Sequence, residues 1–103
     1  MNKTIRRGGI YYIDLKERVI PGEQNGIRPV VILQNDIGNI HSGTTIIAFL
    51  TTKNKPLPTH VKINSANSGL RKTSYVMLEQ IRTVNKDLLK WKIGKISEEE
   101  TNN

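Results

Sequence analysis

The stretch RPVVILQ, residues 28–34, is a nearly continuous apolar run that follows a loop of turn-forming residues. Val and Ile favour extended backbone, and a strand that is apolar on both sides is typically buried on both faces. Pro29 biases Arg28 towards an extended conformation, because the residue before a proline avoids helical backbone angles. We therefore expect a buried strand here, with Arg28 at its entrance and the polar loop PGEQNG, residues 21–26, before it.

Further strands are predicted on both sides of this run. Four segments are rich in β-formers: GGIYYIDL (8–15), TTIIAFLT (44–51), PTHVKIN (58–64), in which Val61 and Ile63 share a face, and TSYVMLEQIRTV (73–84). Clusters of Gly, Pro, Asn and Asp separate the segments and read as turns or loops, among them NDIGNIHSG, residues 35–43. Short strands at this spacing predict a mainly β fold, a small barrel or sandwich, in a single domain over residues 1–103.

The last part of the chain carries helix signals. Asn85 is a candidate N-cap for a short helix over residues 86–91, and KIGKI, residues 92–96, is a candidate last strand. The short helix has three apolar side chains that we expect in the core: Leu88, Leu89 and Trp91. Residues 97–103 open with the Ser and Glu of a capping box, yet they are too few for a stable helix.

The charge distribution favours a polyanionic partner. Residues 1–96 contain all sixteen Lys and Arg and only six acids, a net charge of +10, and the other three acids lie in residues 98–100. Such a surface attracts nucleic acid, and it would attract an acidic protein in the same way; solubility alone is the simpler alternative. The chain has no cysteine, which excludes disulfides, zinc knuckles and thiol nucleophiles. No apolar run reaches the roughly 18 residues that span a membrane, so a cytoplasmic protein is the default expectation.

Few motifs for enzyme chemistry are present. No spaced histidine pair, carboxylate cluster or phosphate-binding glycine loop suggests a metal or a nucleotide cofactor, so we predict none. The two histidines, His41 and His60, could form an acid–base pair on RNA, but their spacing does not bring them together. Arg28 is the remaining candidate, because a planar guanidinium fits phosphate oxygens and stabilises growing negative charge. An arginine in a polar loop is more often a solvated surface residue.

The motifs, taken in order, resemble a known family. Five segments are similar to the MazF/PemK/Kid family of toxin endoribonucleases, from about Arg7 to Ile96: GGIYYIDL, GEQNGIRPVVILQNDIGN, IIAFLTT, LPTHVKI and MLEQIRTVNKDLLKWKIGKI. The resemblance implies an SH3-like β-barrel of the CcdB/PemK type with short helices, acting as a homodimer. It also implies metal-independent, sequence-specific cleavage of single-stranded mRNA, and an acidic, MazE-like antitoxin as the partner that neutralises it.

The resemblance also assigns roles to individual residues. Arg28 matches the catalytic arginine, Thr51 the catalytic threonine, and Glu23 a glutamate that is implicated in activity and is the better candidate for the general base. The implied reaction is attack of an RNA 2′-hydroxyl on the adjacent phosphorus, which gives a 2′,3′-cyclic phosphate and a 5′-hydroxyl. The remaining motif residues are predicted to bind RNA: Gln24, Gly26, Pro29, Thr52, Leu57, His60, Gln80 and Arg82.

Some positions depart from the family pattern. Gly22 stands where many members have serine, and Lys53 stands where many have glutamine or a small residue. Family members continue into a C-terminal helix of several turns, which is missing here after about residue 97, so apolar barrel surface is expected to be exposed. Two alternatives to the ribonuclease stay open: a non-catalytic module that binds RNA or antitoxin, and a gyrase-directed toxin on the same fold, which would need that helix.

Overall fold

The computed structural model describes residues 4–15, 26–53, 57–63 and 68–96. Six antiparallel strands form one sheet in the order β4-β5-β3-β2-β1-β6. The elements are β1 (Gly9–Leu15), β2 (Gly26–Ile32), α1 (Asp36–His41), β3 (Thr44–Thr51), β4 (His60–Ile63), β5 (Ser74–Asn85), the 3-10 turn η1 (Lys86–Leu88) and β6 (Leu89–Lys95). The predicted mainly β fold is confirmed.

The sheet buries apolar side chains on both of its faces. These side chains form two core clusters. The first core cluster includes Ile13, Val30, Ile47 and Phe49. The second core cluster includes Ile10, Val31, Ala48 and Leu50. Neighbouring residues of β2 and β3 thus enter different clusters, because successive side chains of a strand point to opposite faces. Val30, Val31 and Ile32 are all essentially inaccessible to solvent, which confirms the prediction of a strand buried on both faces.

Three local predictions were wrong, wholly or in part. The segment 35–43, expected to be a loop, contains α1, whose first turn is capped by Asn35 through a 2.7 Å hydrogen bond from the Gly38 amide. Asn85 caps a short helix as predicted, but this helix is the 3-10 turn η1, which ends at Leu88, and β6 begins at Leu89. Trp91, expected in the core, is 54 % exposed, because β6 turns this side chain outward, where it contacts the Tyr12 ring.

A buried polar network fixes α1 against β3. Asn39 is only 2 % exposed. Its side-chain nitrogen donates a hydrogen bond to the backbone carbonyl of Gln34 at 2.9 Å, and its side-chain oxygen accepts one from the Thr45 hydroxyl at 2.6 Å. The Lys86 ammonium donates to the Asn39 and Ser42 carbonyls at 2.6 and 2.9 Å, at the C-terminal end of α1. These contacts give hydrogen-bond partners to polar groups that would otherwise be buried without them. They also connect the end of β2 to β3 through the helix that lies between them.

Candidate active site and nucleic-acid interface

The site begins where β2 and β3 stop pairing. Their register runs from Ile32 opposite Ile47 to Val30 opposite Phe49, and the next residue of β2 is Pro29. A proline has no amide hydrogen to donate, so it cannot extend the hydrogen-bond ladder. On its other side β2 remains paired with β1 as far as Gly26, so the strand keeps its direction after it leaves β3. Pro29 therefore marks an opening in the sheet between β2 and β3, and the continued pairing with β1 keeps this part of β2 in place.

Arg28 lies at this opening and is half-buried. Its Cζ atom is 4.8 Å from the centroid of the Phe49 ring, a cation–π contact, and its backbone is opposite Ile13 of β1. Phe49 belongs to the first core cluster, so the guanidinium rests on the edge of that core rather than extending freely into solvent. A cation held over an aromatic ring keeps its planar group oriented, and its hydrogen-bond donors lie at the edge of that plane.

Thr51 lies at the end of β3, on the same face of the sheet as Phe49. If the β2–β3 register is carried two residues beyond Val30, Arg28 comes opposite Thr51, across the opening that Pro29 begins. The Thr51 hydroxyl oxygen accepts a 3.2 Å hydrogen bond from the Lys53 amide. A hydroxyl has one donor and two acceptor positions, so this contact orients the group and still allows its proton to be donated to a phosphate oxygen.

His60 and Glu79 form a hydrogen-bonded pair at the start of β4. His60 Nε2 donates to Glu79 Oε2 at 2.9 Å, since a carboxylate can only accept. This hydrogen bond is the main reason that the pKa of Glu79 lies below its ordinary value, with a smaller contribution from Thr59. The His60 side chain is 4 % exposed and its Nδ1 is buried with no partner in the described part of the chain, so the solvent-facing member of the pair is Glu79.

The other predicted RNA-binding residues are distributed along the same sheet. Thr52 follows β3 and is exposed, and Leu57 is exposed in the turn into β4, where its carbonyl accepts the His60 amide at 3.0 Å. Gln80 is half-buried on β5, and Arg82 is exposed opposite Ile47, which lies four residues, or about 13 Å, from Thr51. Gly26 begins β2 opposite Leu15, while Glu23 and Gln24 lie outside the described residues.

The structure thus brings some of the predicted site residues together and separates others. Arg28 and Pro29 of β2, and Thr51 and Thr52 on the side of β3, all lie just past the last paired residues of these strands, whereas Arg82 lies well along β5 from them. Two side chains that the sequence did not single out, Tyr75 and Lys62, lie in a line with Thr51, because Tyr75 is opposite both of them. Only the register between distant strands reveals this alignment, and no local pattern in the sequence encodes it.

The described residues contain neither a metal-binding cluster nor a membrane-spanning helix. Among the described residues, no three His, Asp or Glu side chains are grouped so that they could hold a metal ion. No helix in the same ranges is long and apolar enough to cross a membrane.

Comparison with known proteins assigns the family. Residues 6–103 match the family described as PemK-like, MazF-like toxin of type II toxin–antitoxin system. The chain belongs to this family. The PemK/MazF assignment confirms the resemblance read from the sequence, and it places the observed sheet among the barrels of this toxin class.

Individual relatives agree with the PemK/MazF assignment. The chain is 43 % identical to Endoribonuclease EndoA of Bacillus subtilis over 92 % of its length and 83 % of the relative's. It is 49 % identical to Endoribonuclease MazF of Staphylococcus saprophyticus, with 91 % and 79 % of the two chains covered. A solved endoribonuclease from Mycobacterial species, in complex with its cognate antitoxin, superposes with a TM-score of 0.77 at 28 % identity, covering 95 % of this chain and 84 % of that one.

Proposed function

We propose that this toxin is an endoribonuclease that cuts single-stranded mRNA at a specific sequence and needs no metal ion. The observation that carries the proposal is the position of Arg28 and Thr51 on either side of the opening that Pro29 creates between β2 and β3. One side chain supplies fixed positive charge and the other an oriented hydroxyl. Relatives that share 43 % and 49 % identity with the chain bear the name endoribonuclease, which supports the same activity.

The proposed reaction uses the RNA itself as the nucleophile. The 2′-hydroxyl attacks the adjacent phosphorus, a P–O2′ bond forms, and the P–O5′ bond breaks, which leaves a 2′,3′-cyclic phosphate and a 5′-hydroxyl. The 2′ proton passes to a base, for which Glu23 is the candidate, and the departing 5′ oxygen takes its proton from a water molecule. Because the substrate provides the attacking oxygen, the protein has to supply only charge, orientation and proton transfer.

Arg28 and Thr51 act on the phosphate in this scheme. The Arg28 guanidinium stabilises the additional negative charge of the phosphorane, a task that a preorganised cation performs well in a partly desolvated site. Its position over Phe49 means that little reorganisation is needed when the charge develops. The Thr51 hydroxyl donates a hydrogen bond to a non-bridging phosphate oxygen. Guanidinium groups stay protonated, which makes Arg28 unsuited to be the base.

RNA recognition is assigned to the residues around this centre. We infer that Thr52, Leu57 and Gln80 border the bound strand, while Arg82 contacts the RNA further along β5, at a phosphate or a base edge. Gly26 and Pro29 shape the entrance, and Gln24, two residues before Gly26 in the sequence, is proposed to bind RNA as well. His60 takes part through its pair with Glu79, whose carboxylate is the exposed member. The net charge of +10 over residues 1–96 draws the polyanion to the surface.

The proposed protein partners follow from the family. The similar endoribonuclease from Mycobacterial species was solved with its cognate antitoxin, so we propose an acidic antitoxin of the MazE kind that covers the basic surface of this chain. Electrostatic complementarity to the positive charge would speed that association and make its rate depend on salt. We also propose that the functional unit is a homodimer.

The test of the proposed function is a cleavage assay with mapped ends. The purified protein and the variants Arg28→Ala and Arg28→Lys are incubated with a long single-stranded RNA in EDTA. We expect cuts at one recurring sequence, with cyclic phosphate ends, from the wild type alone, because lysine keeps the charge but loses the planar fork. If a folded wild type leaves the RNA intact, the ribonuclease proposal is wrong and the non-catalytic binding module takes its place.

A further inference from the structure

We propose that Tyr75 and Lys62 extend the RNA site beyond Thr51, with a flanking base stacked on Tyr75 and the next phosphate paired with Lys62. The proposal rests on the function above and adds two residues that the family motifs do not include. It concerns binding of the RNA next to the scissile phosphate, and neither side chain takes part in the breaking or forming of bonds.

The strand registers place these residues in one row. Tyr75 of β5 is opposite Thr51 of β3, and Lys62 of β4 is opposite Tyr75. Directly opposite residues of antiparallel strands share a face of the sheet, so Arg28, Thr51, Tyr75 and Lys62 run across four neighbouring strands. With strands about 4.8 Å apart, the row is about 14 Å long from Arg28 to Lys62. This length suits an extended strand of a few nucleotides rather than a single phosphate.

The chemistry of the row suits a single-stranded polyanion. Tyr75 is half-buried, so part of this residue is covered by the protein and part remains accessible. Aromatic side chains on a sheet surface stack unpaired bases with little preference for sequence. Lys62 is exposed, and none of the ion pairs between described residues involves its ammonium group. A lysine in this state serves as a point charge for a phosphate oxygen.

The neighbouring acid does not oppose this arrangement. Glu79 lies on β5, four residues from Tyr75, and its carboxylate accepts the hydrogen bond from His60 Nε2. His60 is opposite Met77, two positions further along the strands than the pair of Lys62 with Tyr75. The Glu79 carboxylate is therefore engaged by His60, whereas Lys62 lies on the side of Thr51 and of the opening between β2 and β3.

The test measures binding separately from cleavage. A single-stranded RNA that carries 2′-deoxyribose at the mapped cut position cannot be cleaved, and its affinity is measured by fluorescence anisotropy at several salt concentrations. Lys62→Ala should weaken binding about five-fold and lower the salt slope by about 0.7, the value for one phosphate of a single strand. Tyr75→Leu should weaken binding about 5- to 100-fold, whereas Tyr75→Phe, which keeps the ring, should bind as the wild type does.

Two controls make the result decisive. Lys95→Ala removes an exposed lysine from β6, at the opposite edge of the sheet, and should leave affinity and salt slope unchanged. On cleavable RNA, Lys62→Ala should raise KM and keep kcat, as expected when uniform binding is lost. Equal affinities and slopes for Lys62→Ala and Lys95→Ala, with a folded Tyr75→Leu that binds normally, would overturn the inference. Those outcomes with an active wild type would leave the proposed ribonuclease standing; failure of the wild type to cleave would instead contradict that function.

Discussion

The guanidinium of Arg28 packs on the ring of Phe49, with 4.8 Å between Cζ and the ring centroid. The contact links the first core cluster to the candidate active site, because Phe49 belongs to that cluster and Arg28 lies at its edge. Pro29, next to Arg28 in β2, ends the pairing with β3 and leaves the arginine at an opening rather than inside a ladder. Positioning of this cation is thus a property of the fold.

The first prediction concerns Phe49→Leu, which removes the ring under Arg28. We expect a loss of about 1–2 kcal/mol in the free energy of unfolding and a fall of about 3- to 10-fold in the cleavage rate, since the guanidinium loses its support. Urea unfolding and single-turnover cleavage measure the two effects. Ile47→Val, in the same core cluster, is the control: it should reduce stability by about 1 kcal/mol and leave cleavage unchanged. Equal loss of activity in both variants would contradict the role of the ring.

The second prediction tests whether cleavage depends on the hydroxyl group of Thr51 or only on the shape of its side chain. Thr51→Val should lower the cleavage rate about 10- to 100-fold, because a hydrogen bond to a charged phosphate is lost, and Thr51→Ser should retain most of it. Stability should change little in Thr51→Ser, which keeps the acceptor for the Lys53 amide. Thr83→Val, at an exposed position of β5, serves as the matched control and should cleave normally. Full activity of Thr51→Val would show that the hydroxyl does not touch the phosphate.

The pair of His60 and Glu79 predicts a change of stability in acid. The hydrogen bond from His60 lowers the pKa of Glu79 from its ordinary 4.5, so the unfolded state binds this proton more tightly than the folded state. The resulting stability is present above that ordinary value and is lost as the pH falls through the lower folded value. Glu79→Gln should therefore lose less stability than the wild type between neutral pH and about pH 3, as measured by urea unfolding. The effect should be small, because the carboxylate is exposed.

The control for this acid effect is Asp87→Asn, which changes an exposed acid on η1 that has no ion pair with a histidine among the described residues. It should follow the wild-type curve. If Glu79→Gln loses as much stability in acid as the wild type, the His60–Glu79 hydrogen bond does not contribute in solution.

The fourth prediction concerns the network beneath α1. Asn39→Ala leaves the Gln34 carbonyl and the Thr45 hydroxyl without their buried partner, which should cost about 2–3 kcal/mol in the free energy of unfolding. Ile40→Ala alters the next residue of the same helix, where the side chain is 71 % exposed, and should change stability by no more than about 0.5 kcal/mol. Denaturant titration of the two variants compares them directly. Similar values for both would mean that the network adds nothing.

Local sequence patterns were sufficient to predict five of the six strands of this fold and the second half of β6. The apolar run after Pro29 and the alternating residues of β4 both became strands, because their side-chain patterns match the two faces of a sheet. The helix α1 was missed because Gly38 and Asn39 resemble turn residues, whereas in the structure Asn39 is buried and bonded. Trp91 was misplaced because a large apolar residue was assumed to seek the core, and the register of β6 turned it outward.

The candidate site was predictable only in part. Arg28 and Thr51 were found through the family motif, and their approach to each other depends on where the β2–β3 ladder ends. Tyr75 and Lys62 were not found, because their alignment with Thr51 is set by three strands that are distant in sequence. Burial of the His60 ring could not be inferred from a histidine in a polar segment, since it depends on packing between β4 and β5.

The central claim is that Arg28 and Thr51 act on one scissile phosphate. Single-turnover cleavage of one RNA by the wild type, Arg28→Ala, Thr51→Val and the double variant tests it most directly, because residues that act as a unit show non-additive losses. We predict that the wild type cleaves, that each single variant is much slower, and that the double variant is little slower than Arg28→Ala. Losses that multiply as if the two residues were independent, or a wild type that leaves the RNA intact, would contradict the account.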